Sequence, residues 1–281
     1  MVIGIQGLGL IGGSMAKAFV RGGHTVYGGD INLSVEDAAI MNGACRGKLN
    51  EHLEECDFVF IALYPEAAVR YTEDNAKRFK KDSIVADLCG VKGSVCGRCF
   101  EIADKNGFHF IGAHPMAGKQ FSGFKYSSAE LFDGATMIIV PKHYEDMEII
   151  GRLNTLLKHI GFGSVTTTSA EEHDRMIAFT SQLAHIVSNA YVKSPTAAKH
   201  HAFSAGSYRD LTRVAKLNEN MWTELFELNR ENVIFELDNI IKSLTEYKTA
   251  LENGDHDTLC ALLRDGRIKK EEIDTEWKEK K

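Results

Sequence analysis

Two short stretches of this chain carry the residue types that redox chemistry on a small molecule would need. Gly7-Leu8-Gly9-Leu10-Ile11-Gly12 fits G-x-G-x-x-G. In that spacing the first glycine permits a tight turn, the second lets the backbone approach a pyrophosphate, and the third lets a helix pack closely on a strand. About a hundred residues later, Gly112-Ala113-His114-Pro115-Met116-Ala117-Gly118 sets one histidine among small residues, where an imidazole titrating near neutral pH can take up a proton. A dinucleotide loop and a base together point to hydride transfer, with His114 as the candidate base or, on its residues alone, equally a structural histidine.

The surroundings of the glycines match what the motif requires. Val2-Ile3-Gly4-Ile5 reads as a buried strand before the loop, and residues 14–20 continue as a helix whose N-terminus faces the anion. Thr25-Val26-Tyr27 begins a second strand that ends at Asp30, where a carboxylate can bind the adenosine ribose hydroxyls and would repel a 2′-phosphate. NAD is therefore expected rather than NADP. Leu63-Tyr64-Pro65 and Asp87-Leu88-Cys89-Gly90 follow two further strand-like runs and are expected to border the nicotinamide end. The expected cofactor contacts are Gly7, Leu8, Gly9, Leu10, Ile11, Gly12, Asp30, Leu63, Tyr64, Pro65 and Cys89.

The elements that must position these residues alternate in the first half of the chain. Apolar runs at residues 58–63, 84–86, 108–111 and 136–140 read as strands, mostly separated by helical stretches. That pattern predicts an α/β fold: a Rossmann-type, mostly parallel sheet over residues 1–165, followed by an all-helical C-terminal domain over 166–281. Ser169 is placed to cap the first C-terminal helix, with Glu171 and Glu172 in its first turn and Met176, Leu183, Val187 and Ala190 at helical spacing. Leu237, Ile240, Leu244, Tyr247 and Leu251 repeat at steps of three and four. They fit either a core-facing helix or one that pairs across a homodimer.

Composition excludes several function classes. The 281 residues are 44% hydrophobic with a net charge of −6 and no basic stripe, which argues against nucleic acid or an anionic membrane as the partner. No apolar run is long enough for a membrane helix. The first strand starts at residue 2, leaving no space for a signal peptide, and the six cysteines read as reduced thiols. A cytoplasmic protein is expected. Cys96-Gly97-Arg98-Cys99 has redox spacing but lies inside a predicted helix with no second Cys/His pair, so it reads as two packing or surface thiols and no metal site is expected.

Three blocks in order make the chain resemble the prephenate/arogenate dehydrogenase family of tyrosine biosynthesis. They are residues 112–118 followed by Phe121-Ser122-Gly123; Ser181-Gln182-Leu183-Ala184-His185; and Gly206-Ser207-Tyr208-Arg209-Asp210-Leu211-Thr212-Arg213 with Asn218-Glu219-Asn220-Met221-Trp222 just after. The resemblance covers nearly the whole chain. It implies NAD-dependent oxidative decarboxylation of a cyclohexadienol, with His114 accepting the hydroxyl proton and Arg213 anchoring a carboxylate through its planar fork. His185 would hydrogen-bond substrate, Trp222 would close the pocket wall, and Gly206 and Asp210 would belong to the same substrate site. Helical C-terminal domains of the family usually form dimers.

Two positions are informative against the family pattern. Many relatives carry, where Gly90 stands, a serine thought to touch the catalytic histidine. Here that contact must be missing, or supplied by water or another side chain such as Ser94. Gln120 occupies the place where an acidic residue in relatives can pair with the ammonium of arogenate. A neutral amide gives no such pairing and can donate to a keto oxygen, so prephenate is the expected substrate and arogenate the alternative. A β-hydroxyacid dehydrogenase would need a lysine and a different glycine loop, and a non-catalytic NAD sensor would not need His114.

Overall fold

Apolar runs buried on both faces form the strands, as a sheet covered by helices on two sides demands. The computed structural model describes residues 1–119 and 121–279. The strands are β1 (Val2–Gln6), β2 (Thr25–Gly29), β3 (Gly47–Lys48), β4 (Phe58–Ile61), β5 (Ile84–Asp87), β6 (His109–Pro115), β7 (Thr136–Pro141) and β8 (Ser164–Thr167). The helices threaded among them are α1 (Leu10–Arg21), α2 (Leu33–Met41), α3 (Leu49–His52), α4 (Pro65–Asn75), α5 (Gly93–Asn106) and α6 (Met147–His159). After β8 come α7 (Ala170–Ile177), α8 (Ala184–Tyr191), α9 (Gly206–Thr212), α10 (Glu219–Leu228), α11 (Arg230–Glu252) and α12 (His256–Glu279).

The strands form one eight-stranded sheet in the order β3-β2-β1-β4-β5-β6-β7-β8. Only β6 and β7 run antiparallel. Side chains alternate between two buried layers: Phe58 and Phe60 of β4 join Met15 and Phe19 of α1 and Leu153 and Leu157 of α6 on one face. Val59 and Ile61 join Leu49, Val69 and Val95 on the other. The chain leaves β1 toward β2 and β3, then crosses back to β4, so the strand order reverses between β1 and β4. Ligands of open α/β sheets bind outside the carboxyl ends of the strands at such a switch point.

Some elements differ from the sequence expectation. The strand expected at residues 108–111 runs from His109 to Pro115, so His114 sits in a strand and not in a loop after it. β3 has two residues, and β8 is an edge strand with a largely exposed, polar sequence, so neither offers an apolar run to read. Ser169 does cap α7, its Oγ accepting the Glu172 amide at 3.1 Å. The helix it starts is interrupted by a π-helical turn at Ala178–Leu183, which shifts the phase of the faces. Met176 is 45% exposed, whereas Leu183 is buried together with His173, Asp174, Ile177 and Gln182. Cys96 and Cys99 are buried on α5, and burial pushes the Cys99 thiol up to about 12; both are packing residues.

The chain divides into two compact units, Met1–Arg230 and Glu231–Lys281. The second is helical; within it Tyr247 donates its hydroxyl to the Leu262 carbonyl at 3.3 Å. Leu244 and Leu251 are exposed there, whereas Leu237, Ile240 and Tyr247 are half-buried. No helix among the described residues is long and apolar enough to cross a membrane.

Candidate active site

The glycine loop closes the switch point. Gly7 has φ +88°, and its amide donates to the Gly29 carbonyl at 2.7 Å, tying the end of β1 to the end of β2. A Cβ on Gly12 would overlap the Gly7 carbonyl oxygen, and one on Gly7 would overlap that of Ala62 at the end of β4. A Cβ on Gly9 would meet nothing within 4 Å. Two glycines are thus required by packing, and the third fronts open space at the N-terminus of α1, which no side chain caps. Asp30 lies just past β2, half-buried, its Oδ2 accepting the Leu8 amide at 2.7 Å and its Oδ1 that of Asn32 at 2.9 Å. A carboxylate has lone pairs left beyond those two bonds for ligand hydroxyls.

The other expected cofactor contacts divide by what they expose. Leu10, Ile11 and Leu63 are half-buried and Tyr64 is exposed. Leu8, Pro65 and Cys89 are buried, and the Cys89 thiol donates to the Leu63 carbonyl. The Cys89 side chain belongs to the core under the loop, which leaves only its backbone for a ligand.

His114 stands at the carboxyl end of β6, two residues beyond the Gly112–Asp87 register pair. Its Nδ1 lies 2.9 Å from His173 Nε2, and His173 Nδ1 lies 2.7 Å from Asp174 Oδ1. Asp174 in turn accepts the backbone amides of Lys92 at 2.7 Å and Gly93 at 2.8 Å, capping α5 from a distant helix. A Cβ on Gly93 would stand 3.0 Å from Asp174 Oδ2, so glycine gives the carboxylate its closest approach. The Lys92 ammonium is wholly buried; it donates to the Asp87 carboxylate and, at 2.8 Å, to the carbonyl of Ala113, next to His114. Burial, then the His173 ring and the Lys92 charge, hold the His114 pKa well below the ordinary imidazole value. The ring is neutral at neutral pH, as a proton acceptor must be.

The helices after the π turn gather the second group. His185 Nδ1 donates to the Ser181 carbonyl at 2.8 Å, and its ring lies 4.0 Å from that of Trp222 on α10. Burial lowers the His185 pKa and the nearby Arg213 charge lowers it further. Arg213 itself is exposed just after α9, as are Gly206 and Asp210 on that helix. α10 reaches the sheet: a Cβ on Gly90 would meet Leu225 at 3.4 Å, and the Glu66 amide at the start of α4 donates to Glu224 at 2.9 Å. Buried Gln182 donates to the Leu225 carbonyl, and Asn229 bridges Gln182 Oε1 and the Asp174 carbonyl, joining this group to the His173 helix.

The contact left open at Gly90 comes from another side chain. The partner of His114 is His173, and Ser94 is not that partner: its Oγ is buried and hydrogen-bonds to none of the described residues. Gln120 lies outside the described residues. His173, Asp174 and Lys92 were not among the expected site residues, and Asp87 was expected only to border the nicotinamide end. Their only signal in the sequence is adjacency, the His-Asp pair and the Asp87–Lys92 spacing, each of which also suits a helix surface.

A parallel sheet with a glycine turn at its switch point, a ribose-ready carboxylate after β2 and a neutral imidazole at the end of β6 defines a dinucleotide-binding protein of Rossmann type. Comparison with known proteins narrows the class. The nucleotide-binding domain of prephenate dehydrogenase matches residues 15–166, and the dimerization domain of the same family matches residues 169–265. The chain belongs to the prephenate dehydrogenase family and is an oxidoreductase of that kind. It is 28% identical over 275 residues to the prephenate dehydrogenase of Bacillus subtilis, covering 92% of this chain and 72% of the relative. It is 29% identical over 284 residues to the cyclohexadienyl dehydrogenase of Zymomonas mobilis, covering 94% and 93%. The crystal structure of Aquifex aeolicus prephenate dehydrogenase with hydroxyphenyl propionate and NAD+ superimposes with a TM-score of 0.82 at 28% identity, over 97% of this chain and 98% of that one.

Proposed function

We propose that the protein is an NAD-dependent prephenate dehydrogenase, oxidatively decarboxylating prephenate to 4-hydroxyphenylpyruvate. The observation that carries this is His114, a neutral imidazole at the carboxyl end of β6 beside the switch point. The open space at Gly9, the uncapped start of α1 and the Asp30 carboxylate fit a dinucleotide with a free ribose 2′-hydroxyl. Glu36, whose Oε2 accepts the Asp30 amide at 3.3 Å, adds a second carboxylate against a 2′-phosphate. When bound, NAD supplies the acceptor for the hydride that leaves the ring carbon bearing the hydroxyl. The NAD+ complex of the Aquifex relative supports this choice of cofactor.

In this reading His114 takes the substrate hydroxyl proton, which promotes loss of hydride from the same carbon. Loss of the ring carboxylate as carbon dioxide makes the ring aromatic, so the step is irreversible. Arg213 holds a substrate carboxylate, His185, whose Nδ1 proton goes to the Ser181 carbonyl, accepts a hydrogen bond at Nε2, and Trp222 with the tilted His185 ring supplies an aromatic wall. Gly206 and Asp210 complete that side of the site. The protein works in the cytoplasm as a homodimer formed through its C-terminal helices.

Arogenate is the alternative substrate, and Gln120 is the residue on which the choice rests. The test is kcat/KM for prephenate and arogenate, each with NAD and NADP. Prephenate with NAD should be preferred, and Gln120→Glu should move selectivity toward arogenate. Preference for arogenate in the unaltered protein would overturn the substrate assignment.

A further inference from the structure

We infer that His173 and Asp174 are positioning residues that fix the tautomer of His114, keeping its proton on Nδ1 so that Nε2 is the nitrogen facing substrate. The inference rests on the reading of His114 as the base, and it starts from hydrogen-bond bookkeeping at Asp174.

The Asp174 carboxylate accepts two backbone amides at the start of α5, 2.7 and 2.8 Å away. A helix N-terminus stabilises the ionised form, and an ionised carboxylate can only accept. The 2.7 Å contact to His173 Nδ1 therefore places a proton on that nitrogen. A neutral His173 is then left with a lone pair on Nε2. That lone pair lies 2.9 Å from His114 Nδ1, which must carry the proton between them. His114 Nε2 is left basic. When it accepts a proton, the new positive charge faces a chain of two hydrogen bonds ending on the Asp174 carboxylate.

The surroundings hold this chain rigidly. His173 is 2% exposed and Asp174 is 6% exposed. Asn229 donates to the Asp174 backbone carbonyl at 2.8 Å, Lys92 fixes the Ala113 carbonyl beside His114, and Gly93 clears the path of the carboxylate. The charged or titratable groups acting on His114 are His173 and Lys92, and Lys92 is paired with Asp87. The carboxylate at the far end of the chain is thus the one group set to select a tautomer.

The experiment is long-range proton–nitrogen correlation NMR of isotope-labelled histidine in the full-length protein at neutral pH, with the His114 signals identified by their loss in His114→Asn. The unaltered protein should show His114 protonated on Nδ1. Asp174→Asn keeps one acceptor for α5 but can offer its amide N–H to His173, inverting both rings. That variant should show His114 protonated on Nε2 and a fall in kcat of roughly 10² to 10⁴, the scale of an aspartate-to-asparagine change behind a catalytic histidine, with KM little changed. His173→Gln, which retains an acceptor toward His114, should keep more activity than His173→Leu, and this pair decides the matter if Asp174→Asn does not fold.

An Nε2-protonated His114 in the unaltered protein, the state a charged His173 would impose, overturns the inference even if prephenate is turned over. Unchanged kcat in a folded Asp174→Asn overturns it too. The Nδ1 form without turnover of prephenate or arogenate leaves the tautomer assignment standing and removes the proposed function instead.

Discussion

Lys92 and Asp87 form an ion pair in which both side chains are completely buried. Burial opposes the Lys92 charge, but Asp87 and then the neighbouring thiols outweigh it and raise the ammonium's pKa. The pair is tied to the residue before His114, since Lys92 also donates to the Ala113 carbonyl. Removing one partner strands the other charge in the core. Lys92→Met should therefore destabilise the protein by about 3–5 kcal/mol, the usual cost of breaking a buried pair. Chemical denaturation of the purified variant measures this; a loss below 1 kcal/mol would mean that water reaches Asp87.

The nucleotide loop gives a paired prediction, because its glycines serve different ends. Gly12→Ala forces a Cβ into the Gly7 carbonyl and should cost stability of about 1–3 kcal/mol, the range for overpacking. Gly9→Ala places its methyl in open space, so the melting temperature should hold while NAD affinity falls. Thermal melts and NADH fluorescence titrations separate the two. Undiminished NAD affinity in Gly9→Ala would place the dinucleotide elsewhere.

The depressed His114 pKa sets a pH dependence with a definite sign. Unfolded histidine titrates near 6.5, and the folded ring only well below that. Activity that requires neutral His114 should persist as pH falls past 6.5, with the acid limb of kcat/KM at distinctly lower pH. Over the same window the unfolded chain binds a proton that the folded chain refuses, so stability declines as pH drops. His185, lowered mainly by burial, adds to that decline. An acid limb at or above 6.5 would mean that another group is the base.

Arg213 carries the substrate-anchoring claim. Its exposure leaves it free to meet a ligand, and its charge reaches His185. Arg213→Ala should raise KM for prephenate strongly while leaving NAD affinity intact, because a substrate carboxylate left unpaired once the site closes over it costs on the order of 2–5 kcal/mol. Steady-state kinetics report it. An unchanged KM would make Arg213 a surface residue.

What could be read from the chain alone divides along the range of the interactions. The glycine loop and Asp30 are legible because strand, turn, helix and strand follow one another within about 30 residues, each with its own local chemistry. Ser169 is legible for the same reason, its acceptor lying three residues from the amide it caps. His173 and Asp174 are not, because their partners His114 and Lys92 are 59 and 82 residues away. A period-3.6 reading of their helix finds buried Leu183 but not the polar residues buried with it, and the π turn at Ala178–Leu183 breaks the phase. β8 escaped notice because an edge strand can be polar. A base at His114 is suggested by its setting among small residues and its role by resemblance; its histidine partner required coordinates.

The most direct measurement is reduction of NAD on addition of prephenate to the purified protein, with 4-hydroxyphenylpyruvate counted in parallel, in the unaltered chain and in His114→Asn. The account predicts one reduced nicotinamide per product formed, and a kcat lower by roughly 10² to 10⁴ in the variant at nearly unchanged NAD affinity. Absence of reduction with prephenate or arogenate, or a His114→Asn variant as fast as the unaltered chain, would contradict it.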